Sequence, residues 1–336
     1  MTRISRGSYK DQDAVILESA QARAVVLPGW GAKLASLVHT GLGVETLWQT
    51  EGAAYRRTTY GDGYERGEIS GFDEMFPTIS RCLYEEPPLS GTEAPDHGEV
   101  WTLPWEHSLS GSSVRLWVNG VRFPYRLEKE MSLEDGRLVS RYRASNLSGF
   151  PLDFIWAAHP LFNAREGMQF IVPRGMDRIV NAVPGPVLPS YGEELSFPAA
   201  RPRRGAEVRL DRVPGKNPTG WQKYWFRDPV PDGWCMLHDP ASTLTIGMAW
   251  PKQAVPWLGM WLNEGGWAGQ YNIAPEPATA AMDRIDMSKM WGMGSVLAAH
   301  ETREWSLVIS LTTGKKPGGM TPEGNFRDQE EERTIR

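Results

Sequence analysis

Short apolar runs, interrupted every few residues by glycine or proline, constrain this chain more than any other feature. The 35 Gly and 26 Pro are spread along the 336 residues and not gathered into a linker, which predicts many turns between short strands. Residues 14–18, 22–27 and 33–38 are rich in Val, Leu, Ile and Ala and are broken by Pro28-Gly-Trp-Gly31. Runs of strand chemistry return at 114–118, 125–131, 138–144, 169–172, 234–238, 244–250, 258–262 and 305–311. No long segment has a helical period, so helix is expected to be minor. The pattern predicts an all-β, antiparallel chain with a single domain over 1–314. Residues 49–71 have no period and read as a loop over one face, and 184–202 as a proline-punctuated excursion. Residues 315–336 combine Gly, Pro and dense charge without apolar anchors, which predicts a disordered tail.

Composition narrows the partners. A net charge of −5 argues against a dedicated nucleic-acid surface. No apolar run approaches the roughly 18 residues a membrane span needs, and the first ten residues hold no apolar signal core. Cys82 and Cys235 form no CxxC pair, which excludes a disulfide scaffold and a zinc ribbon and suits a reducing compartment. A cytoplasmic protein is expected. The 15 Trp admit a carbohydrate ligand, because indole faces stack on the C–H faces of sugars, although tryptophan also fills cores.

Three ionisable groups sit in unusual settings. His159 is the one such side chain in Phe154-Ile-Trp-Ala-Ala-His-Pro-Leu-Phe162. The following proline favours an extended backbone, so the run reads as a strand ending at His159, with Ile155, Ala157 and His159 on one face. Taken alone this is most simply a core histidine. His97 lies in Asp96-His-Gly98, a tight turn whose ring is either exposed or functional. Glu276 stands between Pro275 and Pro277, which hold its backbone extended and fit a rigid general base or an exposed loop acid. Arg81 offers forked donors suited to hydroxyls or a carboxylate. A histidine and a carboxylate suffice for acid–base work on a neutral substrate, each transfer contributing about 10²–10⁴-fold. No GxSxG elbow, HExxH, P-loop or Rossmann fingerprint occurs in its required context. A metal site from His97, Glu99 and His159 lacks the HxH pair expected of it.

Together these segments resemble the aldose 1-epimerase (galactose mutarotase-like) family. The similarity runs over roughly residues 14 to 312. Its carriers, in order, are Val26-Leu-Pro-Gly-Trp-Gly-Ala-Lys-Leu-Ala-Ser-Leu37, Gly71-Phe-Asp-Glu-Met-Phe-Pro-Thr-Ile79, Pro95-Asp-His-Gly-Glu-Val-Trp101, the His159 run, Leu258-Gly-Met-Trp-Leu-Asn-Glu-Gly-Gly-Trp267 and Ile273-Ala-Pro-Glu-Pro-Ala-Thr279. The resemblance implies a large antiparallel β-supersandwich and a cofactor-free mutarotase acting on a small sugar. It implies Glu276 as the base at the C1 hydroxyl, His159 as the acid at the ring oxygen, and His97 steadying charge near C1. Arg81 and Asp73 would bind the sugar, and Trp101, Trp156 and Trp261 are candidates for the wall. The aspartate that grips distal hydroxyls in the galactose enzymes has no clear counterpart; Gly220-Trp-Gln-Lys-Tyr-Trp225 offers Gln222 and Lys223 there. The sugar is left open, neutral or anionic. Two other readings stand beside this one. The first is a non-catalytic sugar sensor on the same fold. The second is a carbohydrate lyase or hydrolase, for which Asp73, Glu74 or Glu99 would partner Glu276.

Overall fold

The structure, a computed structural model, describes residues 2–51, 55–56, 58–134 and 136–328. Strands dominate: helix is confined to one six-residue turn of α-helix, Ile285–Met290, and a 3-10 turn, Tyr64–Arg66, among the described residues. The strands pair antiparallel wherever a register is defined among the described residues, as for Arg3–Tyr9 with Gln12–Glu18 and Tyr125–Glu134 with Arg137–Asn146. The chain divides into two compact units, one of residues 1–161 and 278–306, the other of 162–277 and 307–336.

In the first unit one sheet runs Arg3–Tyr9, Gln12–Glu18, Ala22–Leu27, Lys33–His39, Phe72–Met75, Ala157–Pro160. A second ladder runs Arg137–Asn146, Tyr125–Glu134, Ser113–Asn119, Glu106–Ser110. Ser113–Asn119, next to the edge strand, alternates between buried and accessible positions, as a half-solvated strand must. Phe72–Met75 is buried at every position. Between the two sheets Tyr142 packs on Trp156 with ring centroids 4.8 Å apart, and stacks with Trp305 at 5.6 Å. The strand expected to end at His159 begins later, at Ala157, and runs through Pro160. Its partner is Phe72–Met75, with Ala157 opposite Met75 and His159 opposite Asp73.

The second unit contains Asn272–Ala278 (through Pro277), Trp257–Asn263, Trp221–Phe226, Arg178–Val183 and Glu194–Ser196, neighbours in that order. It also holds Gln169–Ile171, Trp234–His238, Leu244–Ala249 and, from Leu307, Thr302–Thr313. Within the proline-punctuated excursion lie the short strands Glu194–Ser196 and Ala199–Ala200. The tail departs from expectation. Gly319–Met320 pairs with Phe326–Arg327, and Met320 is buried, close enough that a Cβ on Gly247 would meet its methyl at 2.5 Å. Met320 and Phe326 are the apolar anchors that the dense charge around them obscures. Residues 329–336 lie outside the described part. Among the described residues no helix is long and apolar enough to cross a membrane.

Candidate active site

The first unit gathers four of the expected residues around one that sequence reasoning missed, Tyr64. His97 occupies a turn built at some cost: its φ is 57° and that of Gly98 is 75°, in the left-handed region that side chains avoid. Only glycine fits after it, because a Cβ at Gly98 would lie 2.1 Å from the Phe76 carbonyl oxygen. Three backbone bonds hold the turn: His97 N–H to Ile79 O at 2.6 Å, Gly98 N–H to Pro95 O at 2.9 Å and Glu99 N–H to Phe76 O at 2.8 Å. The His97 ring stacks flat on Tyr64 at 3.9 Å and 5°. His159 lies 5.4 Å from Tyr64 and 5.2 Å from His97, centroid to centroid. Trp101 closes edge-on against Tyr64 at 5.1 Å, its indole N–H donating to Asp96 O at 2.9 Å.

Charge around this cluster is closely arranged. Asp96 Oδ1 lies 3.1 Å from His97 Nδ1, and its Oδ2 accepts from the Tyr64 backbone N–H at 2.8 Å. Tyr64 O–H donates to Asp73 Oδ2 at 3.1 Å, and the buried Lys33 ammonium donates to the same oxygen at 2.5 Å. Burial, then the Asp73 carboxylate, pushes the Tyr64 phenol well above its usual value, so it stays a donor. Asp73 Oδ1 is buried with no hydrogen-bond partner among the described residues. Asp73 and His159, directly opposite on adjacent strands, share a sheet face.

Other expected residues have different surroundings. Arg81 is exposed, donates to Glu93 Oε2 at 3.2 Å and to Gly61 O at 2.9 Å, and its charge helps to lower the Asp96 carboxyl beside His97. Trp156 is fully buried between the sheets, its indole N–H donating to Glu74 Oε2 at 2.9 Å; it sits in the core, not on a wall. Glu74 also accepts from Lys129 and Tyr142, and Glu99 accepts from Tyr60 O–H and the amides of Val121 and Arg122. Those two carboxylates are thereby consumed in holding the fold. Among the described residues no group of three His, Cys, Asp or Glu side chains is placed to hold a metal ion.

In the second unit Glu276 is completely buried and ion-paired to the buried Lys223 ammonium. Pro275 and Pro277 remove two amide donors from the strand Asn272–Ala278, fixing the backbone that carries the carboxylate. Lys223 also lies 5.6 Å from the Trp225 ring centroid. Gln222 and Lys223 are successive residues of Trp221–Phe226 and point to opposite faces, so they cannot act together on one ligand. Trp261 is half-buried against Trp221 and Trp267, with its indole N–H on Asn272 Oδ1 at 3.2 Å.

These features define an all-β protein with the galactose mutarotase-like fold. Solved structures that share it are mostly aldose 1-epimerase or galactose mutarotase-like proteins. A galactose mutarotase-like protein from Lactobacillus casei is 20% identical, with a TM-score of 0.63 over 89% of this chain and 100% of that one. The Slr1438 protein of Synechocystis is 16% identical, with a TM-score of 0.66 over 90% of this chain and 96% of that one. A galactose mutarotase-like protein from Clostridium acetobutylicum is 13% identical, with a TM-score of 0.63 over 93% and 99%. The sequence matches no protein-family profile and no curated protein.

Proposed function

We propose that this protein is an aldose 1-epimerase, interconverting the α and β anomers of a sugar by ring opening and reclosure. The observation that carries the reading is the pair of imidazoles, His97 and His159, distant in sequence yet 5.2 Å apart on one aromatic platform. The fold shared with galactose mutarotase-like proteins supports it. Glu276, paired with Lys223, takes the proton from the C1 hydroxyl. His159 protonates the ring oxygen as the C1–O5 bond breaks. The aldehyde rotates about C1–C2, and reclosure with the roles reversed gives the other anomer. His97 hydrogen-bonds near C1, and Asp73, Trp101 and Trp261 are the sugar-contact candidates. Proton transfers alone complete the cycle, so no cofactor is assigned and the small sugar is the one partner. We place the protein in the cytoplasm, in keeping with the free Cys82 and Cys235 thiols.

Saturation-transfer NMR on fresh anomer mixtures of neutral, phosphorylated and acidic aldoses tests the reading. Glu276→Gln and His159→Ala should each lower the exchange rate by about a hundredfold or more, within the range of a positioned acid or base. Exchange no faster than buffer for every sugar would end the proposal. Normal rates in both variants would end the role assignment.

A further inference from the structure

The two imidazoles are not equivalent, and their surroundings separate their duties. A carboxylate can only accept hydrogen bonds. Asp96 is held as a carboxylate, since the opposing effect of burial is outweighed by His97 and by the Tyr64 amide. The contact between Asp96 Oδ1 and His97 Nδ1 therefore places the proton on Nδ1. In the neutral ring Nε2 is then an acceptor. From this geometry we infer that Asp96 and Tyr64 are positioning residues that set His97 as a hydrogen-bond acceptor toward a sugar hydroxyl, leaving acid duty at the ring oxygen to His159.

Tyr64 supplies the second restraint. Its ring covers one face of His97 at 3.9 Å and 5°, so the imidazole cannot rotate about its Cβ–Cγ bond without breaking the stack. The phenol is itself fixed at both ends. Its O–H is tied to Asp73, and its backbone N–H donates to the same Asp96 that orients the imidazole. One carboxylate thus fixes the tautomer of His97 and the position of the ring stacked on it. The strained His97–Gly98 turn adds a backbone that holds the ring's origin.

The consequence for rate rests on the epimerase reading, but the tautomer does not. Two-dimensional ¹⁵N–¹H NMR of the histidine rings at neutral pH reads it directly. Native His97 should show a protonated Nδ1 and an unprotonated Nε2, and Asp96→Ala should admit the Nε2–H form. Its ring protons should carry an upfield ring-current shift that survives in Tyr64→Phe and disappears in Tyr64→Leu. On a sugar that the protein turns over, Asp96→Ala and Tyr64→Leu should lower kcat about tenfold or more with a smaller change in KM. Tyr64→Phe, which keeps the stacked face, should retain most of the rate that Tyr64→Leu loses. A native ring protonated at Nε2 would overturn the inference whatever the activity, as would undiminished kcat in both Asp96→Ala and Tyr64→Leu. If no aldose is turned over, the epimerase reading fails while the ¹⁵N spectrum still decides the tautomer.

Discussion

Asp73 and Glu74 are neighbours on one four-residue strand, both buried, both paired to a buried lysine, yet they sit in different kinds of surroundings. Glu74 faces the space between the sheets, where Lys129 Nζ and Tyr142 O–H donate to Oε1 at 3.0 and 2.9 Å and Trp156 Nε1 donates to Oε2 at 2.9 Å. Each oxygen is satisfied and aromatic rings close around it. Asp73 faces the opposite side, where Lys33 and Tyr64 share Oδ2 while Oδ1 has no partner. Two imidazoles lie beside Tyr64 there. Similar charge chemistry therefore serves two ends. One cluster is closed, with every oxygen paired between the sheets; the other leaves a carboxylate oxygen unpaired among the described residues, beside titratable rings.

The comparison breaks most readily at the carboxylates. Glu74→Gln should cost about 3–5 kcal/mol, because it removes the countercharge of the buried Lys129 ammonium and sets an amide NH2 where a carboxylate oxygen accepted from Lys129 and Tyr142 or from Trp156. Asp73→Asn should cost less, about 1–3 kcal/mol, since Lys33 keeps the carbonyls of Glu68 and Ser70 at 3.1 and 2.7 Å. Denaturant midpoints followed by tryptophan fluorescence measure both. Equal losses would erase the distinction between a closed and an incomplete cluster.

The strand-rich architecture was readable because turn residues and β-branched runs recur throughout the chain. The contrast between Asp73 and Glu74 was not. Period-two alternation puts them on opposite faces, but every residue of Phe72–Met75 is buried, so polarity gives no clue to which face is core. Their lysines come from elsewhere in the chain, Lys33 and Lys129, and only the folded sheets reveal the pairing. Tyr64 escaped notice for a related reason: it lies in the aperiodic stretch 49–71, where nothing marks one aromatic residue above another. Arg81 offers forked donors by residue type alone, and only the fold shows that Glu93 and Gly61 engage two of them.

The two tryptophans of the first unit sharpen the contrast at a smaller scale. Trp156→Phe deletes the one donor to Glu74 Oε2 and leaves a space in a closed cluster, so a loss of about 1–3 kcal/mol is expected. Trp101→Phe gives up a bond to the Asp96 carbonyl and part of the edge contact with Tyr64, but no donor to a buried carboxylate, for about 0.5–1.5 kcal/mol. The same midpoint measurements rank them, and the reverse order would mean that Trp101, not Trp156, anchors the structure.

The smallest effect concerns acid stability on the imidazole side. Burial acts to raise the Asp96 carboxyl, but the His97 charge, the His97 hydrogen bond, the Tyr64 amide and the Arg81 charge outweigh it and hold the group below its ordinary 3.8. A depressed folded value means that the unfolded chain binds the proton more readily. The contribution is then fully present above the unfolded value and is lost as pH falls through the folded one. The difference in unfolding free energy between the native protein and Asp96→Asn should accordingly shrink as the pH falls below about 3.8. Chemical unfolding at a series of acid pH values measures that difference. If it does not change as the pH is lowered, His97 and the Tyr64 amide do not favour the folded carboxylate, and the imidazole cluster loses the electrostatic link that separates it from the closed core around Glu74.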